Sequence, residues 1–484
     1  MSTLSVPTKP RRLGAVLALL AFAQMIIAID YNIVFVSLPE IGSDLGFSAQ
    51  NLQWIVSAYA VAFGGFLPLG GRATDLFGRK NMFVLGLFLY AVSSLAGGLA
   101  TEPWLLIAAR AVQGLGGAFL APATLSLVTT LFAEGAERNR ALAIWGGAGG
   151  SGMVLGSILG GLLTETFGWS SVFYVNVLLA GAATVAALFL LPKTSSSRNG
   201  SFDLPGALSA TVAATLLVFA LVQGPASGWG SPLIVTSLLV SAALFATFLA
   251  VESKTRSPLV PLRLFANRNL STGSVITFLF MATFGALAYF LTQFWQVVQG
   301  YSAWATGFAF VVPSGCVLIG TVIGGKAATR LGVRTTLLVA LAMGVVGTVA
   351  LALSLSQHAS YAVLAPSLVL LSLGQGMVFT TMFAATSTGV PAEDQGIGSG
   401  IATTGQQIGG AVGLAVLIAL TSGKTGEHAP DPADLTDGIR LATWGIAAGI
   451  AVTVLAVLNL KKPAAPVDPA TPAVQTPERD LERV

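Results

Sequence analysis

The stretch Gly71–Lys80 reads GRATDLFGRK and separates two apolar segments, at 52–70 and 82–100. A related stretch, Gly325–Arg334, reads GKAATRLGVR and begins 254 residues later. Glycines at a spacing of four recur with an offset of 253 residues, as Gly152, Gly156 and Gly160 and again as Gly405, Gly409 and Gly413. Two separate features that share nearly one offset indicate an internal repeat.

The composition places this repeat in a membrane. Hydrophobic residues make up 54% of the 484-residue chain and charged residues only 9%, against roughly 25% charged residues in soluble globular proteins. Such a chain cannot cover a water-facing surface, which excludes a soluble enzyme of any fold and general disorder. The apolar runs are far longer than a spanning β-strand of about 9–11 residues, so we predict an all-α polytopic membrane protein.

Segments of about 20 apolar residues, the length needed to cross the hydrocarbon core, divide the chain into two sets of six with an inserted pair. We predict fourteen spans at 13–37, 52–70, 82–100, 104–130, 141–163, 171–192, 206–224, 232–251, 271–297, 306–325, 335–355, 361–386, 397–421 and 439–460. The predicted parts are a cytoplasmic N-terminus (1–12), a six-helix bundle (13–192), an inserted helix pair with its loops (193–270), a second six-helix bundle (271–460) and a disordered cytoplasmic tail (461–484).

Basic residues orient the predicted bundle. If the N-terminus is cytoplasmic, every Lys and Arg except Lys424, Arg440 and the embedded Arg110 falls on the cytoplasmic side. Loops on that side of a membrane carry an excess of basic residues. The distribution therefore predicts that both termini are cytoplasmic and that the number of spans is even.

Two opposite charges remain inside the predicted membrane region, Asp30 in the first helix and Arg110 in the fourth. At 1.5 Å per residue both lie about 10 Å from the outer end of their helix, so the two side chains can pair. Burial disfavours the ionised carboxylate and a neighbouring guanidinium favours it. An embedded acid is usually functional, and we expect Asp30 to carry a proton with Arg110 as its partner; the alternative is a static ion pair that holds two helices together.

The sequence resembles the major facilitator superfamily. GRATDLFGRK is similar to the loop signature of that family, and Leu106–Gly114, with Arg110, Gln113 and Gly114, resembles its fourth-helix motif. Asp30-Tyr31-Asn32 with Leu38-Pro39 resembles the first-helix motif of the drug:proton antiporters. Fourteen spans with an inserted pair resemble their fourteen-span branch, which contains the quaternary-ammonium efflux pumps. Ser157 stands where the fifth-helix motif of the antiporters has proline, and the sixth helix keeps Trp169, Phe173 and Asn176 but lacks the usual nearby arginine and proline.

The resemblance implies a multidrug efflux antiporter of the cell membrane, of the kind that confers antibiotic resistance. We expect it to export small amphipathic or cationic drugs by alternating access of two six-helix bundles, driven by a proton gradient without a cofactor or metal. It is expected to be a monomer, not an enzyme, and not to bind nucleic acid. The alternatives are an exporter of lipid or secondary metabolite, a gradient-driven importer and, last, a membrane receptor that transports nothing.

Candidate residues fall into three further groups. The residues expected to line the substrate cavity are Asn32, Gln113, Tyr289, Phe290, Gln293, Met377 and Phe379, although Gln113 could instead hold Arg110 and the aromatic residues could face lipid or neighbouring helices. By resemblance, an inner gate latches the two bundles on the cytoplasmic side through Gly71, Asp75, Gly78, Arg79, Lys80 and Arg138. The glycines at 152–160 and 405–413, together with Gly161, permit close helix packing, either static or at a sliding interface between the bundles.

Overall fold

The computed structural model describes residues 10–48, 51–133, 136–192, 204–255, 258, 260–390, 394–421 and 431–460. Within these ranges it confirms fourteen helices long and apolar enough to cross a membrane. They are α1 (Pro10–Leu45), α2 (Trp54–Phe77), α3 (Arg79–Gly98), α4 (Pro103–Leu131), α5 (Ala136–Phe167), α6 (Ser171–Leu190), α7 (Leu204–Ser227), α8 (Pro232–Lys254), α9 (Arg268–Val298), α10 (Ala303–Leu331), α11 (Val333–Ser354), α12 (Tyr361–Ser387), α13 (Gln395–Thr421) and α14 (Pro432–Leu458). The predicted tail 461–484 and most of the predicted N-terminus 1–12 lie outside the described residues.

The two motif stretches that define the repeat have the same local structure. Gly78 lies between α2 and α3 with φ of 89°, and Gly332 lies between α10 and α11 with φ of 82°. Residues with a side chain rarely adopt a positive φ, so glycine at these two positions lets one helix end and the next begin without an intervening loop. The repeated sequence thus encodes a repeated turn.

Both glycine series pack the fifth helix of a bundle against the first helix of the same bundle. A Cβ atom added at Gly156 in α5 would lie 2.5 Å from the Ile29 carbonyl oxygen in α1, and one added at Gly409 in α13 would overlap the Phe278 carbonyl oxygen in α9. Gly161 differs, because its added Cβ would lie 2.6 Å from the carbonyl oxygen of Ala303 in α10, across the interface between the bundles. The two glycine series therefore belong to interfaces within the bundles, and Gly161 belongs to the interface between them.

Gly409→Ala is expected to lower the free energy of unfolding by about 1–3 kcal/mol, because overpacking a tight contact forces the two backbones apart. Gly405→Ala is the matched control on the same helix, since its Cβ would have an ordinary contact at 3.5 Å from the Ser274 carbonyl oxygen. Thermal unfolding of both variants in detergent micelles measures the difference. Equal stability of the two variants would contradict this close packing of α13 on α9.

The two bundles contact each other at the end where α1 and α5 finish and α10 begins; we call this the closed end. There the Glu165 side chain accepts a hydrogen bond of 2.9 Å from the backbone N–H of Trp304. Nearer the centre, Gln296 Nε2 of α9 donates to the Val36 carbonyl oxygen of α1 at 2.7 Å. These contacts join α1 and α5 of the first bundle to α9 and α10 of the second.

The interval predicted for the inserted pair, 193–270, contains α7 and α8. α7 lies against both bundles, because Val218 packs in one apolar cluster with Val61 of α2 and Ala411 of α13. Gln223 of α7 also donates a hydrogen bond of 2.8 Å to the Asn51 side chain. The insertion therefore covers one of the seams between the bundles.

Candidate functional site

The structure brings the embedded acid and base together in the middle of the first bundle. Arg110 Nη1 of α4 lies 2.7 Å from Asp30 Oδ2 of α1, and the two side chains are 2% and 0% exposed. An ion pair this deeply buried is costly to desolvate and is favourable only when further hydrogen bonds satisfy its remaining atoms. The neighbouring residues provide those bonds.

Two amide side chains donate hydrogen bonds to the Asp30 carboxylate beside Arg110. Gln113 Nε2 donates to Asp30 Oδ1 at 2.8 Å, and Asn176 Nδ2 of α6 donates to the same oxygen at 2.9 Å. Gln113 Oε1 also accepts from Arg110 Nη1 at 2.6 Å, so Gln113 holds the arginine, which is one of the two alternatives that the sequence left open. Gln113 Nε2 further donates to Ser94 Oγ of α3 at 3.0 Å.

The guanidinium is enclosed on its other sides by α2. Arg110 Nε donates to the Ile55 carbonyl oxygen at 3.0 Å, and the guanidinium carbon lies 4.5 Å from the centre of the Tyr59 ring. The Tyr59 hydroxyl in turn lies 3.4 Å from that of Tyr90 in α3. Five helices of the first bundle therefore contribute to one polar network, whose charged groups are closed off from solvent.

Several members of this network were not among the predicted site residues. They share a sequence signal that could have found them, since each is a polar side chain inside a predicted apolar span, where a polar group needs a partner. These residues are Tyr59, Tyr90, Ser94 and Asn176. Their partners could not be deduced, because the sequence does not give the rotation of each helix about its axis.

Consecutive residues of α1 face three different surroundings. Asp30 points into the first bundle, the Tyr31 hydroxyl lies 3.9 Å from the sulfur of Met281 in the second bundle, and Asn32 Nδ2 donates to the Met153 carbonyl oxygen of α5 at 2.8 Å. Successive side chains on an α-helix point about 100° apart, which separates these three directions. A rotation or shift of α1 therefore acts on the ion pair, on the other bundle and on α5 together.

A cavity lies between the bundles next to α1. Its volume is about 70 Å³, smaller than the roughly 300–1,000 Å³ that is typical of small-molecule sites, so it must widen to hold a drug-sized molecule. Its walls come from α1, α5, α9, α10 and α12. The lining residues are Asn32, Phe35, Met153, Ser157, Phe284, Leu287, Ala288, Leu291, Phe310, Pro313, Ser314, Val317, Leu368, Leu371, Ser372 and Gln375.

Asn32 is the residue of the predicted cavity set that lies in this lining. On α9 the lining residues are 284, 287, 288 and 291, which form one helix face, whereas Tyr289, Phe290 and Gln293 project from other faces. On α12, Met377 lies off the lining face and packs against Gly324. Phe379 lies one helical turn beyond Gln375, on the side of α12 that lines the cavity. Its side chain is 40% exposed, and its ring centre lies 6.0 Å from that of Phe280. The residue pattern predicts that α9 and α12 are helical, but it does not give the rotation of each helix about its own axis, which decides the side that lines the cavity.

The buried ion pair and the cavity are separate in this structure. Asp30 is fully buried in the polar network and is not part of the cavity lining, while Asn32 two residues later is. In this structure a molecule in the cavity would therefore not touch the Asp30 carboxylate. Any coupling between the two sites must pass through movement of α1 and its neighbours.

Ser157 stands in α5 where the antiporter motif has proline. A proline at 157 would remove the helical hydrogen bond to the carbonyl oxygen of Met153. In this chain that same oxygen accepts bonds from Asn32 Nδ2 at 2.8 Å and from Ser157 Oγ at 3.2 Å, and Asn32 also donates to Ser157 Oγ at 3.4 Å. Side chains of α1 and α5 thus act on the turn that a proline would disrupt.

The residues predicted to latch the bundles at the inner gate make contacts within their own bundle. Lys80 Nζ donates to the carbonyl oxygens of Leu188 and Leu191 at 2.8 and 2.7 Å, which caps the end of α6. Arg138 Nε donates to the Phe132 carbonyl oxygen at 3.3 Å, in the connection between α4 and α5. In this structure the hydrogen bonds described for these two basic residues lie within the first bundle, and their role as an inner gate stays a prediction.

The other predicted gate residues lie around the turn between α2 and α3. Gly71 in α2 has open space where a Cβ would be, and Gly78 forms the turn itself. Arg79 is the first residue of α3. The side chain of Asp75 lies outside the described part of the structure, so its gate role stays a prediction.

Comparison with known proteins identifies relatives along nearly the whole chain. Residues 20–414 match the Major Facilitator Superfamily. The chain is 35% identical to the puromycin resistance protein pur8 of Streptomyces alboniger, over 92% of this chain and 90% of that protein. It is 38% identical to the cephamycin export protein CmcT of Amycolatopsis lactamdurans, over 93% and 92%, and 33% identical to the lincomycin resistance protein of Streptomyces lincolnensis, over 93% and 92%.

The fold also matches a solved transporter. The crystal structure of the POT family transporter PepTSo superposes with a TM-score of 0.66 at 17% sequence identity, covering 93% of this chain and 97% of that one. Together with the fourteen spanning helices, these matches identify a multi-pass transporter of the cell membrane. Because the match extends from α1 to α13 and includes the repeated turn and the embedded pair, the chain belongs to the Major Facilitator Superfamily.

Proposed function

We propose that this chain is a proton-coupled exporter of small amphipathic compounds that works by alternating access. The observation that carries the proposal is the position of Asp30, a fully buried carboxylate on the same helix that lines the cavity through Asn32 and contacts the second bundle through Tyr31 and Val36. The relatives that are resistance and export proteins for antibiotics support export as the direction and drug-like molecules as the substrates.

Protonation of Asp30 provides the step that couples the proton to movement. A neutral carboxyl attracts Arg110 much less than a carboxylate does, and it must replace one accepted hydrogen bond with a donated one. The network that fixes α1 against α4 and α6 is thereby weakened. α1 then shifts, which changes both its contact with the cavity and its hydrogen bond to Gln296 near the closed end.

The predicted orientation makes the closed end extracellular. The structure then corresponds to a state in which the cavity serves the cytoplasmic side, where an exporter takes up its substrate. Proton entry from outside requires the opposite state, in which the closed end has opened and water reaches the network around Asp30. The contacts of Gly161 with Ala303 and of Glu165 with Trp304 are those that this opening must break.

Cells that express the protein are expected to accumulate less of its substrates than cells that do not, and a protonophore is expected to remove the difference. A screen of radiolabelled or fluorescent antibiotics, each with and without protonophore, measures this directly. Vesicles of inverted orientation then give the direction, since an exporter fills them when their interior is acidic. Substrate accumulation by intact expressing cells would instead establish an importer.

A further inference from the structure

We propose that the cavity accepts its substrate in an electrically neutral form, so that export exchanges a proton for an uncharged molecule and moves charge across the membrane. The inference rests on the proposed function and narrows its substrate class. It excludes the permanent cations that the sequence analysis included among the expected substrates.

The polar groups of the cavity lining are neutral. Among the described lining residues they are one carboxamide from each bundle, Asn32 and Gln375, and three hydroxyls, Ser157, Ser314 and Ser372. The other lining residues are aliphatic or aromatic or are Met and Pro, and Phe35, Phe284 and Phe310 provide ring surfaces from three different helices. Such a surface provides hydrogen bonds for an uncharged polar group and apolar contact for the body of a molecule.

A cation in this cavity would find no fixed counter-charge among the described residues of the lining. A buried charge requires an opposite partner or a metal to offset its lost hydration. Ring faces attract cations, but none of the described lining residues supplies a full negative charge. The lining therefore favours neutral molecules over quaternary ammonium or phosphonium ions.

Asp30 does not supply the counter-charge that a cation in the cavity would need. Asp30 Oδ2 is bonded to Arg110, and Oδ1 accepts from both Gln113 and Asn176. The carboxylate is 0% exposed, and it faces away from the cavity that Asn32 lines. Its charge is balanced locally, so the proton and the substrate occupy sites that do not share an electrostatic partner.

Exchange of a proton for a neutral substrate moves net charge across the membrane. One proton enters on Asp30 and one uncharged substrate leaves, so one positive charge moves into the cell per turnover. Export is then driven by the membrane potential as well as by the pH gradient. Exchange of one proton for a monovalent cation would move no net charge and would respond to the pH gradient alone.

Energised inverted vesicles that contain the full chain separate these cases. The probes are radiolabelled chloramphenicol, which is neutral, and tetraphenylphosphonium, a permanent cation. We expect uptake of chloramphenicol, slowed both by nigericin, which removes the pH gradient, and by valinomycin with potassium, which removes the potential. Uptake of tetraphenylphosphonium at a similar or higher rate, uptake of neither probe, or chloramphenicol uptake insensitive to valinomycin would each overturn the inference.

A single isosteric change tests the role of the lining. Gln375→Glu places a carboxylate in the cavity, and we expect it to confer at least severalfold faster uptake of tetraphenylphosphonium than the parent chain shows. Gln375→Met is the matched control, because it changes the same lining position without adding a charge. Equal uptake by the two variants would overturn the assignment of this cavity as the charge-selective site.

The inference and the proposed function fail in different ways. If Asp30→Asn still performs pH-driven export, the proposed function is wrong. If Asp30→Asn is inactive while the parent chain transports tetraphenylphosphonium, or ignores the potential, proton coupling stands and only the neutral-substrate inference is wrong.

Discussion

Asp30→Asn is expected to reduce pH-driven export to the background of vesicles that lack the protein. The carboxyl is fully buried and bonded to Arg110, Gln113 and Asn176, so asparagine fits the same space but cannot exchange a proton. Initial rates of substrate uptake into inverted vesicles with an acidic interior measure the loss. Asparagine keeps an oxygen that can accept from Arg110 but leaves the guanidinium buried without its counter-charge, so the variant is also expected to be less stable than the parent.

Two controls separate loss of coupling from loss of structure. Substrate exchange between equal concentrations on both sides needs no net proton movement, and we expect Asp30→Asn to retain it. Asp437→Asn removes a carboxylate that pairs with Arg440 at 2.8 Å where both side chains are exposed, and it is expected to export normally. Normal pH-driven export by Asp30→Asn would refute the proton-carrier role, whatever the stability of the variant.

Arg110→Met is expected to destabilise the protein strongly. The substitution leaves the Asp30 carboxylate buried without its counter-charge and frees the carbonyl oxygen of Ile55 and the amide oxygen of Gln113. Breaking a buried ion pair from one side typically costs about 3–5 kcal/mol. Thermal unfolding in detergent micelles measures the effect, which is expected to be larger than that of Gly409→Ala.

The matched control is Arg440→Met, which removes the same side chain from a pair that is 39% and 52% exposed. Exposed pairs contribute about 0–1 kcal/mol, so this variant is expected to unfold near the parent. The double variant Asp30→Asn/Arg110→Met is expected to recover part of the stability that Arg110→Met loses, because no charge stays buried, but to remain uncoupled. Equal stability of Arg110→Met and Arg440→Met would show that the buried pair contributes no more to stability than the exposed one.

The sequence predicted the features that depend on composition and local spacing. Hydropathy and span length indicated the number of helices, because a bilayer fixes how long an apolar run must be. The repeat offset predicted the equivalence of Gly78 and Gly332, whose shared backbone conformation follows from glycine alone. Equal depth within two spans predicted that Asp30 and Arg110 could meet, and the structure places them 2.7 Å apart.

Features that depend on helix rotation could not be predicted. A pattern of aromatic and amide residues on α9 suggested a cavity wall at Tyr289, Phe290 and Gln293, which stays a prediction. In this structure Phe284 and Leu291 are among the α9 residues that line the cavity. A single span is apolar on nearly every side, since lipid is as apolar as the protein interior, so the hydrophobic pattern does not mark the inward face. The role of Lys80 in capping α6 was hidden for a related reason, because its acceptors are backbone carbonyls that no residue type reveals.

The most direct test of the central claim, that Asp30 carries the coupled proton, is proton release when substrate binds to purified protein in weakly buffered detergent solution. With a pH indicator and a substrate from the accumulation screen, the parent chain and Asp437→Asn are expected to release the same amount, up to one proton per transporter. Asp30→Asn is expected to bind the substrate and release none. Release of the same amount by Asp30→Asn would contradict the claim.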